Sequence, residues 1–161
     1  MSLSQQFAAA IPPHHDAGAG ALAIEVVEGD ARFAVELVEA DRLACALLHA
    51  AWNIDGAAPV DAQLLNELGE AAAKRLCYLL EPLSPFELDQ DRCVLQMRST
   101  TTAATAQGKE YYELVFRGDR SATLDRYLFA AGQPREAVPM SFTRDVARRL
   151  VGDVADVLQE T

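Results

Sequence analysis

Six side chains in the second half of the chain combine arginine with tyrosine, two residue types that are enriched at binding hot spots. They are Arg98, Tyr111, Tyr112, Arg117, Arg126 and Tyr127. On adjacent antiparallel strands they would gather on one face of a sheet and hold a protein partner or a small ligand. The alternative is structural: tyrosines on a half-buried sheet, with the aliphatic parts of arginine side chains packed across them.

No pattern of residues indicates a catalytic, metal or cofactor site. Nucleophilic catalysis needs a Cys or Ser beside a His, and the only histidine after residue 20 is His49. Nothing in the spacing requires Cys77 or Cys93 to approach it. The alternating carboxylates of residues 87–91 are more typical of a solvated strand edge than of a divalent-ion site. We therefore predict no catalytic residues, no metal ligands and no cofactor, and we favour a non-enzymatic role without excluding an enzyme.

The charge of the chain is negative and unevenly distributed. The 161 residues include 24 Asp and Glu and 14 Lys and Arg, which gives a formal net charge of −10. Residues 1–90 hold 14 acidic and four basic residues, so the whole excess lies there, and ten of each cancel in the remainder. An acidic chain is a poor candidate for binding nucleic acid or an anionic membrane through its overall field. With no apparent signal peptide or membrane span, we expect a cytoplasmic protein.

Residues 22–37 predict a β-hairpin whose register follows from the sequence alone. Gly29-Asp30 has the composition of a type II′ turn, in which the first central residue takes φ > 0. Pairing outward from this turn places all the large apolar residues on one face, which a shift by one residue would scatter. The expected pairs are Leu22–Leu37, Ile24–Val35, Val26–Phe33 and Glu28–Ala31.

Three helices are predicted from apolar residues at helical spacing. Asp41 would cap a helix of about 12 residues that ends before Gly56. A longer helix runs from about residue 61 to residue 81, where Pro82 stops it. Thr143 would cap a terminal helix that extends to about Leu158, with a broad apolar stripe suited to packing on a sheet.

Apolar residues alternate in three stretches between the last two helices, which predicts a strand meander. These stretches are residues 93–98, 111–117 and 124–130, and residues 136–142 predict a short edge strand interrupted by Pro139. The fold class is therefore α+β, with an antiparallel sheet of five to six strands and three helices mainly on one face, in the order ββααβββ(β)α. Residues 1–20 are expected to form a flexible tail, and residues 21–161 a single domain.

Two hypotheses for the function remain. The first, which we favour, is an acidic binding or interaction module that uses its sheet face for a protein partner or ligand and that forms a homodimer. The second is an enzyme or small-ligand carrier with a cavity between the sheet and the C-terminal helix. A flat apolar contact surface would favour the first, and a deep pocket lined by Arg98, Tyr112 or Tyr127 the second.

Overall fold

The computed structural model describes residues 1–160 and shows an α+β fold with three helices and a large antiparallel sheet. The helices are α1 (Leu3–Ala10), α2 (Ala62–Arg75) and α3 (Arg144–Gln159). The strands are β1 (Leu22–Glu28), β2 (Ala31–Ala40), β3 (Ala44–Ile54), β4 (Leu83–Asp89), β5 (Val94–Ser99), β6 (Ala103–Ala104), β7 (Lys109–Arg117), β8 (Ser121–Phe129), β9 (Glu136–Val138) and β10 (Met140–Thr143). No helix among the described residues is long and apolar enough to cross a membrane.

Seven strands form the main path of the sheet, in the order β1-β2-β3-β8-β7-β5-β4. Three short strands pair beside this path: β6 with β7, β9 with β8, and β10 with β3. β9 and β10 flank Pro139, so the interrupted edge segment pairs first with β8 and then with β3. The predicted five to six strands and the order ββααβββ(β)α are therefore wrong, because an extra helix precedes β1 and a predicted helix is a strand.

The hairpin of β1 and β2 has the predicted register, with Leu22 opposite Leu37 and Val26 opposite Phe33. Gly29 has φ 58°, the left-handed value that the turn requires and that glycine adopts without strain. The apolar face of the hairpin is buried except at its open end, where Leu22 is partly exposed. The glycine turn and the alternation of apolar and polar residues were therefore sufficient to predict the register of the hairpin.

The helix predicted from Asp41 is instead strand β3. Cys45 and Leu47 are buried, and the buried positions then shift by one residue to Ala50 and Trp52. The shift occurs at His49, which has φ 54°. At this point β3 advances by three residues, from Leu48 to Ala51, while its partner β2 advances by only two. This β-bulge interrupts the period of two, so the apolar residues acquire a spacing that resembles a helix.

The N-terminal residues are not a loose tail. Ser2 and Gln5 form a capping box at the start of α1, and Leu3 and Phe7 are buried on its inner side. The Phe7 ring packs edge-on against Phe33 with centroids 5.2 Å apart. Residues 3–10, which belong to the segment predicted to be a flexible tail, form a helix that packs on the sheet.

All three helices cover the same face of the sheet. α2 begins at its Asp61 cap but ends at Arg75, several residues before the predicted end. A side chain at Gly69 would collide with Leu95 of the sheet, so the glycine permits a close approach between helix and strand. α3 begins at its Thr143 cap, as predicted, and packs its apolar stripe on the sheet.

Candidate functional site

The face of the sheet opposite the helices, called the open face below, carries four of the six residues of the predicted arginine–tyrosine set. Along β7, Leu114 and Phe116 point into the core, so the alternate residues Tyr111, Glu113 and Arg117 lie on the open face. The register places Tyr111 opposite Tyr127, and Glu113 opposite Arg98. The structure therefore brings Arg98, Tyr111 and Tyr127 together at one end of the open face. Arg117 lies at the other end of β7, where its Nη1 is 3.4 Å from Thr123 Oγ1.

Tyr112 and Arg126 lie on the helix-covered face and are buried. Arg126 donates to both carboxylate oxygens of Glu81 at 3.0 Å, and its Nε donates to Glu110 at 3.0 Å. The guanidinium also lies 4.5 Å from the centre of the Tyr112 ring. Burial raises the pKa of the Tyr112 hydroxyl above its ordinary value. These two residues hold the turn after α2 against the sheet and are not presented to a partner in this structure.

Arg98 is held in a fixed orientation between two aromatic rings. Its guanidinium carbon lies 4.1 Å from the centre of the Phe86 ring and 5.3 Å from that of Tyr111. Its Nε donates to Glu113 Oε2 at 3.2 Å. Cation–π contacts on both sides restrict a side chain that would otherwise sample many rotamers.

Glu113 is the acceptor that organises this part of the open face. Besides Arg98, it receives hydrogen bonds from Gln96 at 2.7 Å and from Arg135 at 2.7 and 3.3 Å. Its burial would raise the pKa of the carboxyl group, but the donors outweigh that effect and hold the pKa below its ordinary value.

Arg135 completes the arrangement from the turn after β8. Its guanidinium carbon lies 3.9 Å from the centre of the Tyr127 ring, and its Nη1 is 3.3 Å from the Tyr111 hydroxyl. Glu113 raises the pKa of the Arg135 guanidinium, so the side chain remains charged. Sequence reasoning missed Glu113, Arg135 and Phe86. The alternation of β7 already put Glu113 beside Tyr111, whereas nothing local marks Phe86 or Arg135.

A groove of about 360 Å³ lies beside this network and is bordered by Phe86 in the middle of β4 and by Phe129 at the end of β8. We call it the β4–β8 groove. Its lining combines three aromatic residues, two cations and two hydroxyl side chains: Phe86, Tyr111, Phe129, Arg98, Lys109, Ser99 and Thr102. Phe86 and Phe129 are 58% and 52% exposed. The groove therefore offers large apolar surfaces with positively charged groups beside them.

The local charge here differs in sign from that of the whole chain. The residues that line the groove include two cations, Arg98 and Lys109, and no carboxylate, a local balance of +2. The chain as a whole carries −10. The positive patch is therefore a local property of this end of the sheet.

Side chains pack closely around Trp52 at the interface between α3 and the sheet, where the alternative hypothesis places a cavity. The indole of Trp52 donates to the Val151 carbonyl at 3.0 Å, and Leu150 and Val154 of α3 are fully buried beside it. His49 lies elsewhere, with its Nδ1 2.7 Å from Asp125. Among residues 1–160, no group of three or more His, Cys, Asp or Glu side chains is arranged to hold a metal ion.

No family model, curated protein or solved structure matches this chain. Its function is therefore inferred from the chemistry of the groove and the residues around it.

Proposed function

We propose that this chain is a non-enzymatic binding module that holds a protein partner in the β4–β8 groove. One observation carries the proposal. The chain has six phenylalanines, and four of them are buried: Phe7, Phe33, Phe116 and Phe142. The two that are more than half exposed, Phe86 and Phe129, line the same groove. Large apolar side chains that are exposed around one groove are typical of interaction sites in folded proteins.

The shape of the groove favours a protein over a small molecule. Small-molecule sites enclose most of the ligand surface in a concave pocket. Here the two phenylalanine walls project into solvent, so a bound molecule would remain open on one side. Such a surface suits one segment of a larger partner, whose remaining contacts lie outside the groove.

The walls of the groove are also fixed before any partner arrives. Phe86 and Tyr111 flank Arg98, and Arg98 is held by Glu113. All three strands that carry these residues belong to one hydrogen-bonded sheet. Prior ordering of this kind lowers the entropy cost of association and supports a binding role.

Photo-crosslinking in the cells that naturally express the chain tests the proposal. Phe86 is replaced by p-benzoylphenylalanine, and Leu43 by the same residue as the control. Leu43 is 79% exposed in the turn between β2 and β3, away from the groove. We expect a discrete protein adduct from position 86 and none from position 43, because only the groove would contact the partner.

The crosslinked protein is then purified, and its affinity is measured for the unmodified chain and for two single variants. Phe86→Ser should weaken binding at least about tenfold, as loss of a central aromatic contact does, and Leu43→Ser should leave it unchanged. The same adducts from both positions, or equal affinities for the two variants, would refute the groove as the binding site.

A further inference from the structure

We propose that the β4–β8 groove selects a protein segment in which a large apolar side chain is flanked by carboxylates. This inference rests on the proposed function and adds the chemistry of the partner. It follows from two cations at the groove that keep hydrogen-bond donors without a partner among the described residues.

The first cation is Arg98. Only its Nε takes part in a hydrogen bond, to Glu113, and neither Nη atom donates to any of residues 1–160. The Phe86 and Tyr111 rings fix the plane of the guanidinium, so the orientation of the free donors is fixed as well. A planar guanidinium with free donors is well suited to receive a carboxylate.

The second cation is Lys109, which lies directly opposite Phe129 in the β7–β8 register. It is exposed and forms no ion pair within the described part of the chain. The two cations therefore border an apolar groove with Phe86 and Phe129 in its walls. An apolar side chain would pack between the rings while carboxylates on either side reach Arg98 and Lys109.

The charge of the whole molecule argues against nucleic acid as the occupant. A long phosphate backbone would extend beyond the local +2 patch into the field of a chain that carries −10. A short acidic segment meets only the patch, because charges more than about 10 Å away are largely screened at moderate salt.

NMR titration of the full-length, isotope-labelled chain tests the inference with three acetylated and amidated peptides. The probe is Glu-Glu-Phe-Glu-Glu, and the comparisons are Gln-Gln-Phe-Gln-Gln and Glu-Glu-Ala-Glu-Glu. We expect saturable shifts at the amides of Phe86, Ser99, Lys109 and Phe129, with the probe binding at least about tenfold tighter than either comparison.

The chain contains only two lysines, which provide a matched pair of variants. Lys109→Gln should weaken binding of the probe at least about fivefold because it removes a charged hydrogen-bond donor at the groove. Lys74→Gln removes the same charge from the exposed side of α2 and should leave the affinity unchanged.

The inference is overturned if the Gln-containing peptide binds as tightly as the probe, or if Lys109→Gln has no effect. It is also overturned if oligothymidylate displaces the probe and binds more tightly. A protein adduct at position 86 combined with any of these results would leave the groove as a binding site and refute only its acidic selectivity. Loss of the adduct with intact binding of the probe would refute the protein-binding role instead.

Discussion

The carboxylate of Glu113 is surrounded by hydrogen-bond donors of the protein rather than by solvent. Three side chains donate to it, and only 6% of the residue is exposed. Its pKa is lowered in the folded chain, so the ionised carboxylate stabilises the fold. Because the folded pKa lies below the unfolded one, this stabilisation is complete above the ordinary pKa of 4.5 and is lost as the pH falls through the folded pKa.

Glu113→Gln should therefore lower the free energy of unfolding by about 1–2 kcal/mol at neutral pH, since two partly exposed arginines lose the negative charge of their acceptor. The difference from the unmodified chain should narrow as the pH falls below 4.5, the ordinary pKa of the carboxyl group. Urea unfolding at a series of pH values measures both effects. Glu87→Gln, at an exposed strand residue, is the control and should give no such difference. If the difference in the free energy of unfolding between Glu113→Gln and the unmodified chain does not change with pH, Glu113 is not a charged acceptor.

At the scale of single elements, the sequence correctly predicted the helices and strands for which the turn or cap residues and the apolar pattern indicate the same structure. The hairpin combined a glycine turn with an uninterrupted period of two, and α3 combined a capping Thr143 with a continuous apolar stripe. β3 was mistaken for a helix because the bulge at His49 changes the spacing of its apolar residues. A bulge is specified by pairing with another strand, so its position is not visible in one segment of sequence.

The candidate site was predicted only in part for a related reason. A shift by one residue changes the face of a strand, so Tyr111 and Tyr112 lie on opposite faces of the sheet. The sequence placed arginines and tyrosines on neighbouring strands but left their register open. Phe86 and Arg135 join the site through tertiary contacts from β4 and from a turn, which no local pattern encodes.

Helix α1 shows how tertiary packing creates an element that its sequence only weakly favours. Eight residues are too few for a stable isolated helix, and only Leu3 and Phe7 provide a buried stripe. Contacts with β1, β2 and α3 supply the remaining stability. The helix is therefore part of the folded unit, although its sequence resembles that of a tail.

Phe7→Ala should lower the free energy of unfolding by about 3–4 kcal/mol, because it removes a fully buried ring that packs against Phe33. Phe129→Ala is the matched control: it makes the same substitution at an exposed ring and should change stability by less than about 0.5 kcal/mol. Chemical denaturation of the two variants measures the difference. If the two variants lose the same free energy of unfolding, α1 does not contribute to the stability of the domain.

At the scale of the whole molecule, the net charge of −10 opposes self-association while the positive patch attracts acidic segments. The proposed homodimer would have to form through apolar contacts against this repulsion. Salt therefore affects the two kinds of binding in opposite directions. Screening weakens the attraction of the groove for a carboxylate and reduces the repulsion between two copies of the chain.

Light scattering at high protein concentration should show more dimer as NaCl is raised from about 0.05 M to about 0.5 M, because the Debye length shortens over this range. Over the same range, the affinity for the acidic peptide should fall. A monomer at every salt concentration would end the homodimer proposal and leave the groove unaffected. A dimer that dissociates as salt is added would instead mean that ionic contacts join the two copies, as expected if Arg98 and Lys109 bind acidic residues of a second copy.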